Sequence, residues 1–296
     1  MDRNVRPVAA MMFMLMGMMS LGFVDNLVPA IAQQAGLWQF HATRAALVLP
    51  ALVLIGYFAG APVWPTKFWA VIGRTVAVTV AMTIYFGSLA FMPIEVVLAG
   101  LFTAPIFVLI LSAVFLKRQI GRRRWIAAAV GFAGLVMVVQ PDPNSLNLTS
   151  FIPMVAGAFY AVANLATREW CEGEGTIVLT IFNFIGLGLV GLLGMVGFTI
   201  ADIAVPDFVT LGYVAPTYTF LGLCLIQAVG ATIGVFSITR GYQLGEASYI
   251  AILEYGMIIC AAMWAFVLFG AVPNMLAVAG VGLIIASGVV IALRSR

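Results

Sequence analysis

The sequence predicts an all-α integral membrane protein, with ten transmembrane helices arranged as two inverted five-helix repeats. Three observations carry this expectation. Apolar residues make up 64% of the chain and charged residues 8%, against roughly 45–50% and about 25% in soluble domains. The apolar residues run in stretches of about 20, the length a helix needs to cross a bilayer. The basic residues collect on one side of a ten-span threading, as the positive-inside rule requires.

Each element follows from these. A chain with so few charges cannot solvate a soluble surface, and in lipid every backbone group must be paired internally. Unbroken apolar runs fit helices, not the alternating segments of a barrel. The candidate spans are 8–32, 38–60, 68–89, 92–116, 123–140, 150–170, 176–200, 214–239, 246–269 and 274–293. Turn-forming breaks separate them, among them Gln33-Gln34-Ala35-Gly36, Pro141-Asp142-Pro143-Asn144 and Glu172-Gly173-Glu174-Gly175. The first run is too long for a signal-peptide core and reads as a helix that stays.

Threading sets the orientation. Arg3, Arg6, Lys67, Lys117, Arg118, Arg122, Arg123, Arg124, Arg168, Arg240, Arg294 and Arg296 share one side, and the opposite loops hold no Lys or Arg. Both termini are therefore expected in the cytoplasm, with the chain in the inner (plasma) membrane. The net charge of +3 reflects this anchoring and does not point to nucleic acid.

The two halves, 1–145 and 146–296, also resemble each other. One constant shift lays Tyr85 on Phe236, Glu95 on Glu246 and Gly131 on Gly282; another lays Asn26 on Asn164. Five is odd, so two five-helix repeats must run in opposite senses. That plan recurs in secondary transporters, which bind substrate near midplane at the repeat interface.

The first half carries Tyr85-Phe86-Gly87-Ser88-Leu89-Ala90-Phe91-Met92-Pro93, then Thr103-Ala104-Pro105-Ile106-Phe107, a basic hairpin and Gly131-Phe132-Ala133-Gly134. The second half carries Leu253-Glu254-Tyr255 and Phe269-Gly270-Ala271-Val272-Pro273. These segments resemble the drug/metabolite transporter superfamily, in particular its EamA-type ten-helix members. Relatives often have Glu in place of Ala271, and Pro near Tyr255. The resemblance implies export or uptake of amino acids, S-adenosylmethionine, drugs or nucleotide sugars, and it identifies a fold, not a substrate.

Ionisable groups at bilayer depth are expensive and are functional candidates. Asp25 and Arg44 each lie about six or seven residues inside the outer end of their span, ~10 Å deep on antiparallel neighbours. Trp38, His41 and Arg44 recur at turn spacing and form a stripe expected opposite Asp25 and Asn26. This pattern suits a carboxylate-binding arginine beside an acid that takes an amine or a proton; equally, it suits a structural ion pair. Glu254 lies near midplane, with Tyr255 beside it and Gln227 near the middle of its own span as a candidate partner. Asn164 and Asn183 occupy inner halves, Tyr160 precedes Asn164 by one turn, and Tyr85 stands in the outer half of span 3. These amides and hydroxyls either meet a ligand or glue helices together. Arg74 is close enough to a span end to snorkel outward. Pro29, Pro105, Pro153 and Pro216 are candidate bends, Pro105 the deepest. Close helix contact is expected at Gly17, Gly22, Gly186, Gly188, Gly191, Gly280 and Gly282.

The reading is an ATP-independent transporter of a small polar or zwitterionic metabolite, working by alternating access, with proton coupling through Asp25 and Glu254. No P-loop occurs. An enzyme is not expected: the chain has one histidine, no HExxH and no paired membrane aspartates. No cofactor or metal is expected either. Cys171, Cys224 and Cys260 are too far apart for a metal cluster, and the methionines of span 1 are spread around the helix. An exporter of drugs or amines, and a channel or structural subunit, are the competing readings. Homodimerisation is left open.

Overall fold

In a computed structural model, residues 6–89, 91–203 and 206–292 are described. Arg3, Ala90, Arg294 and Arg296 lie outside them. The chain forms α1 (Pro7–Asp25), α2 (Val28–Ala32), α3 (Leu37–Phe58), α4 (Phe68–Ser88), α5 (Ile94–Leu101), α6 (Ala104–Val114), α7 (Arg122–Val139), α8 (Ile152–Glu169), α9 (Thr176–Ala201), α10 (Tyr218–Leu244), α11 (Ala247–Leu253), α12 (Gly256–Phe269) and α13 (Met275–Ala292). Among the described residues there is no strand. Among the described residues, eight helical rods are long and apolar enough to cross a bilayer, with α1–α2, α5–α6 and α11–α12 each counted as one rod. The protein is a multi-pass, all-helical membrane protein. The two expected spans that fall short of that measure are α7, which opens on Arg122, Arg123 and Arg124, and α13.

Three rods are broken, at Asn26–Leu27, Phe102–Thr103 and Glu254–Tyr255. Two of these breaks have a sequence cause. Pro29 and Pro105 sit at the starts of α2 and α6, where a missing N–H costs nothing and the ring blocks continuation backward. The third is followed by Gly256 instead. Pro153 opens α8 and Pro216 precedes α10, so neither bends a helix. The eighth span runs 218–244, several residues later than the expected 214–239. The Thr217 hydroxyl caps its start, accepting from the Phe220 amide at 3.0 Å.

The rods pack in pairs: α1 on α10, α3 on α9, α4 on α8 and α7 on α13. In addition α1 meets α12, and α8 meets α5 and α6. Glycines allow the closest approaches. A Cβ on Gly134 would lie 2.6 Å from the Gly280 carbonyl oxygen, and one on Gly17 would lie 3.1 Å from that of Gly234. Gly282, by contrast, faces open space.

One end of the bundle is laced by polar contacts. Glu174 accepts from the Thr66 hydroxyl (2.6 Å) and from the backbone amides of Thr66 and Lys67. Lys67 Nζ donates to the Glu172 carbonyl (2.6 Å). Gln243 joins Thr176 and the Glu174 carbonyl. Arg118 pairs with Glu169 (2.9 Å), and Arg124 with Glu246. Arg168 donates to the carbonyls of Tyr242, Gln243 and Gly245, closing the C-terminus of α10. These bonds gather Lys67, Arg118, Arg124 and Arg168 at a basic end, as the threading required. The loops of the other end contain no Lys or Arg.

Two expectations follow. Gly134→Val overpacks the α7–α13 contact and lowers stability by about 1–3 kcal/mol, read as a lower unfolding temperature in detergent. The second concerns Glu174. Burial pushes this carboxyl up, but the Thr66 hydroxyl, the Lys67 and Thr66 amides and the Lys67 charge outweigh it and hold it below the usual carboxylate range. A carboxyl held low contributes stability above its unfolded value and loses it as pH falls through the folded value. The unfolding temperature therefore falls as the pH drops below the ordinary glutamate range near about 4.3, and falls less in Glu174→Gln.

Candidate functional site

A cavity of about 190 Å³ lies inside the bundle, walled mainly by α1, α4, α5, α8, α9 and α10. Most of its wall is apolar. Asp25, Arg44, Tyr85, Tyr160, Asn164, Asn183, Gln227 and Glu254 all line it. The other four candidates, Asn26, Trp38, His41 and Tyr255, stand outside.

Arg44 is buried and held on several sides. Its Nη1 donates to Gln227 Oε1 (3.2 Å), and Nη2 contacts His41 Nδ1 (2.9 Å). Its guanidinium carbon lies 4.9 Å from the Phe40 ring centre and 5.5 Å from that of Phe184, close enough for cation–π attraction. Nε finds no acceptor in the protein. Gln227 is thus the partner of Arg44, not of Glu254.

Asp25 ends α1 at the first break and is exposed to the cavity. Among the described residues it makes no hydrogen bond and no ion pair. It is the acid whose field reaches both Arg44 and Tyr85. Asn183, on α9, also lines the cavity, its amide bonded to no protein group among the described residues.

Glu254 closes α11 at the third break and is buried. Its Oε1 accepts from Asn164 Nδ2 at 3.3 Å; the buried Tyr242 hydroxyl finds no hydrogen-bond partner among the described residues. This acid therefore has one protein donor, whereas Asp25 has none among the described residues.

The four residues outside the cavity support it. His41 backs Arg44 and packs edge-on against Phe86, with ring centres 4.7 Å apart. Trp38 lies off the cavity lining and stacks on Phe198. The Asn26 amide donates to the carbonyls of Gly22 (2.7 Å) and Ala261 (3.1 Å), tying the first break to α12. Tyr255 is fully buried against Gly131, where a Cβ would lie 2.5 Å from its ring. Helical spacing put Trp38, His41 and Arg44 on one face; in the structure, that face meets neighbouring helices along most of its length.

Arg74 departs from expectation. It does not snorkel outward but is buried, with its side chain on the cavity. Nε donates to Thr167 Oγ1 (3.1 Å), Nη1 to the Leu179 carbonyl (2.9 Å) and Nη2 to Thr239 Oγ1 (3.3 Å). Thr239 also lines the cavity. Depth alone suggested the surface. The missed signal was the pair of threonines on neighbouring inner helical halves.

The chain can now be set beside known proteins. Residues 8–140 match the EamA-like transporter family. A riboflavin transporter of Rhizobium johnstonii is 24% identical over 73% of this chain and 66% of its own length. An S-adenosylmethionine uptake transporter of Rickettsia bellii is 22% identical over 65% of this chain and 62% of its own length. The matches thus span about two thirds of these relatives. A crystal structure of another protein, 14% identical, superposes with a TM-score of 0.81 over 98% of this chain and 99% of that one, so the fold is shared. The resemblance to EamA-type members of the drug/metabolite transporter superfamily read from the sequence is borne out by the match over residues 8–140 and by these transporter-named relatives.

Proposed function

We propose that the chain is a secondary transporter that carries a small polar or zwitterionic metabolite through this cavity by alternating access. One observation carries the reading most. Within a mostly apolar wall, Asp25 and Asn183 have no hydrogen-bond partner among the described residues and face a cavity on which a pre-oriented Arg44 also borders. Polar groups left unpaired in a site built to bind are completed by a solute carrying the matching groups. A zwitterion offers a cation to Asp25 and an acceptor to Arg44 and Asn183.

The alternation rests on two inverted repeats, 1–145 and 146–296. The helix pairing supports them. When each rod is exchanged for the one five places on, α1–α10 becomes α8–α4, α1–α12 becomes α8–α6, and α3–α9 and α7–α13 map onto themselves. The register that lays Glu95 on Glu246 also lays Thr103, at the second break, on Glu254, at the third. Broken helices at a repeat interface are where transporters place their sites. The basic end is cytoplasmic in this reading, in the inner membrane.

A second reading, an exporter of organic amines, is favoured by one contrast. Arg44 already has hydrogen-bonding protein partners, whereas Asp25 has none among the described residues. A cation alone then satisfies the cavity.

Stabilisation of the purified protein against amino acids, S-adenosylmethionine, simple amines and riboflavin separates the two. A zwitterion is expected to raise the unfolding temperature saturably, and Arg44→Ala to weaken its binding about tenfold or more. Asp25→Asn is expected to weaken zwitterions and amines alike. Binding that Arg44→Ala leaves intact and Asp25→Asn abolishes selects the amine reading.

Proton coupling through Asp25 and Glu254 is tested by uptake into vesicles. Uptake is expected to depend on an imposed pH gradient in the native protein and to lose that dependence in Asp25→Asn or Glu254→Gln. Retention of the dependence in both variants removes protons from the mechanism.

A further inference from the structure

A second, strongly polar pocket of about 280 Å³ lies at the basic end, lined by Thr167, Arg168, Cys171, Glu172, Glu174 and Arg240 among others. It stands close to the central cavity. Thr167 lines this pocket and accepts from Arg74, which lines the cavity. Thr239 lines the cavity and also accepts from Arg74, while its neighbour Arg240 lines the pocket. The Arg74 guanidinium and its acceptors therefore form the partition between two hollows. We infer that Arg74 is the bolt of a gate at the basic end, and that the polar pocket beyond it is the mouth through which a polar solute passes to or from that face. The inference rests on the transporter reading.

The geometry suits a bolt. Arg74 is on α4, in the first half of the chain, and its acceptors are on α8, α9 and α10, all in the second half. Rocking of one half against the other breaks all three bonds together. The guanidinium fork fills three directions at once from a planar group, which a lysine ammonium does not reproduce. The pocket beyond is lined by charged and hydroxyl groups of both signs, the lining of a hydrated vestibule. An apolar plug would be expected there if this end were permanently sealed.

A static strut makes the same contacts, so the test must read opening. Cys171, Cys224 and Cys260 are replaced by serine, and Val235→Cys places a single thiol on the cavity wall one turn from Thr239. A charged, membrane-impermeant methanethiosulfonate reagent is applied to vesicles of each orientation. Slow labelling from the basic face is expected with Arg74 in place. Arg74→Ala is expected to raise that rate about tenfold or more and to lower the rate from the opposite face, because opening one end of an alternating carrier closes the other. Arg74→Lys falls between. Should Arg74→Ala not fold, Thr167→Val with Thr239→Val keeps the cation, removes two acceptors and is read in the same way. Unchanged labelling from the basic face in a folded variant overturns the bolt. Labelling needs no substrate, so that outcome leaves the transport reading to be judged by uptake.

Discussion

Two buried guanidinium groups organise this bundle. A charge at bilayer depth costs about 2.5–3.5 kcal/mol on the translocon scale unless it is answered, and lipid offers no answer. Arg44 and Arg74 are therefore met by protein acceptors, and those acceptors are spread over other helices. Arg44 fixes α3 against α10; Arg74 fixes α4 against α8, α9 and α10. The hollow between these helices is what remains once both demands have been met. Its apolar wall and its few aimed polar groups are two consequences of the same constraint.

The polar groups of the cavity then fall into two kinds. Asn164 on α8 donates to Glu254 at the end of α11. Among the described residues, Asp25 and Asn183 have no hydrogen-bond partner. The first kind holds a broken helix in register; the second leaves bonds for a visitor to complete. Polar groups open to a mostly apolar cavity are the ones a bound solute can engage.

Much of this was legible in the chain. Every rod lies within a few residues of an apolar run, because length and hydropathy are one-dimensional properties that the bilayer reads directly. The basic end followed from charge counting. Eight candidates reach the cavity because depth along a helix is also one-dimensional. Rotation about the helix axis is not. Trp38 shares a face with Arg44, yet packs on Phe198, and Arg74 had the depth of a snorkelling residue but the surroundings of a buried one. Such facings are decided by neighbours that are remote in sequence, and by breaks such as Glu254–Tyr255 that no proline announces.

The bolt at Arg74 has no twin. The register that lays Glu95 on Glu246 lays Arg74 on Leu225, a residue exposed on the outside of the bundle. The internal symmetry of the rods is thus not matched by symmetry of closure, and the empty molecule idles in one posture more than in the other. Such lopsidedness does no thermodynamic work. Where flux stops is set by the gradients, whatever the resting posture. It shifts only how much solute is needed to half-saturate the carrier from each face, and so makes an equilibrium machine respond as though it preferred one direction.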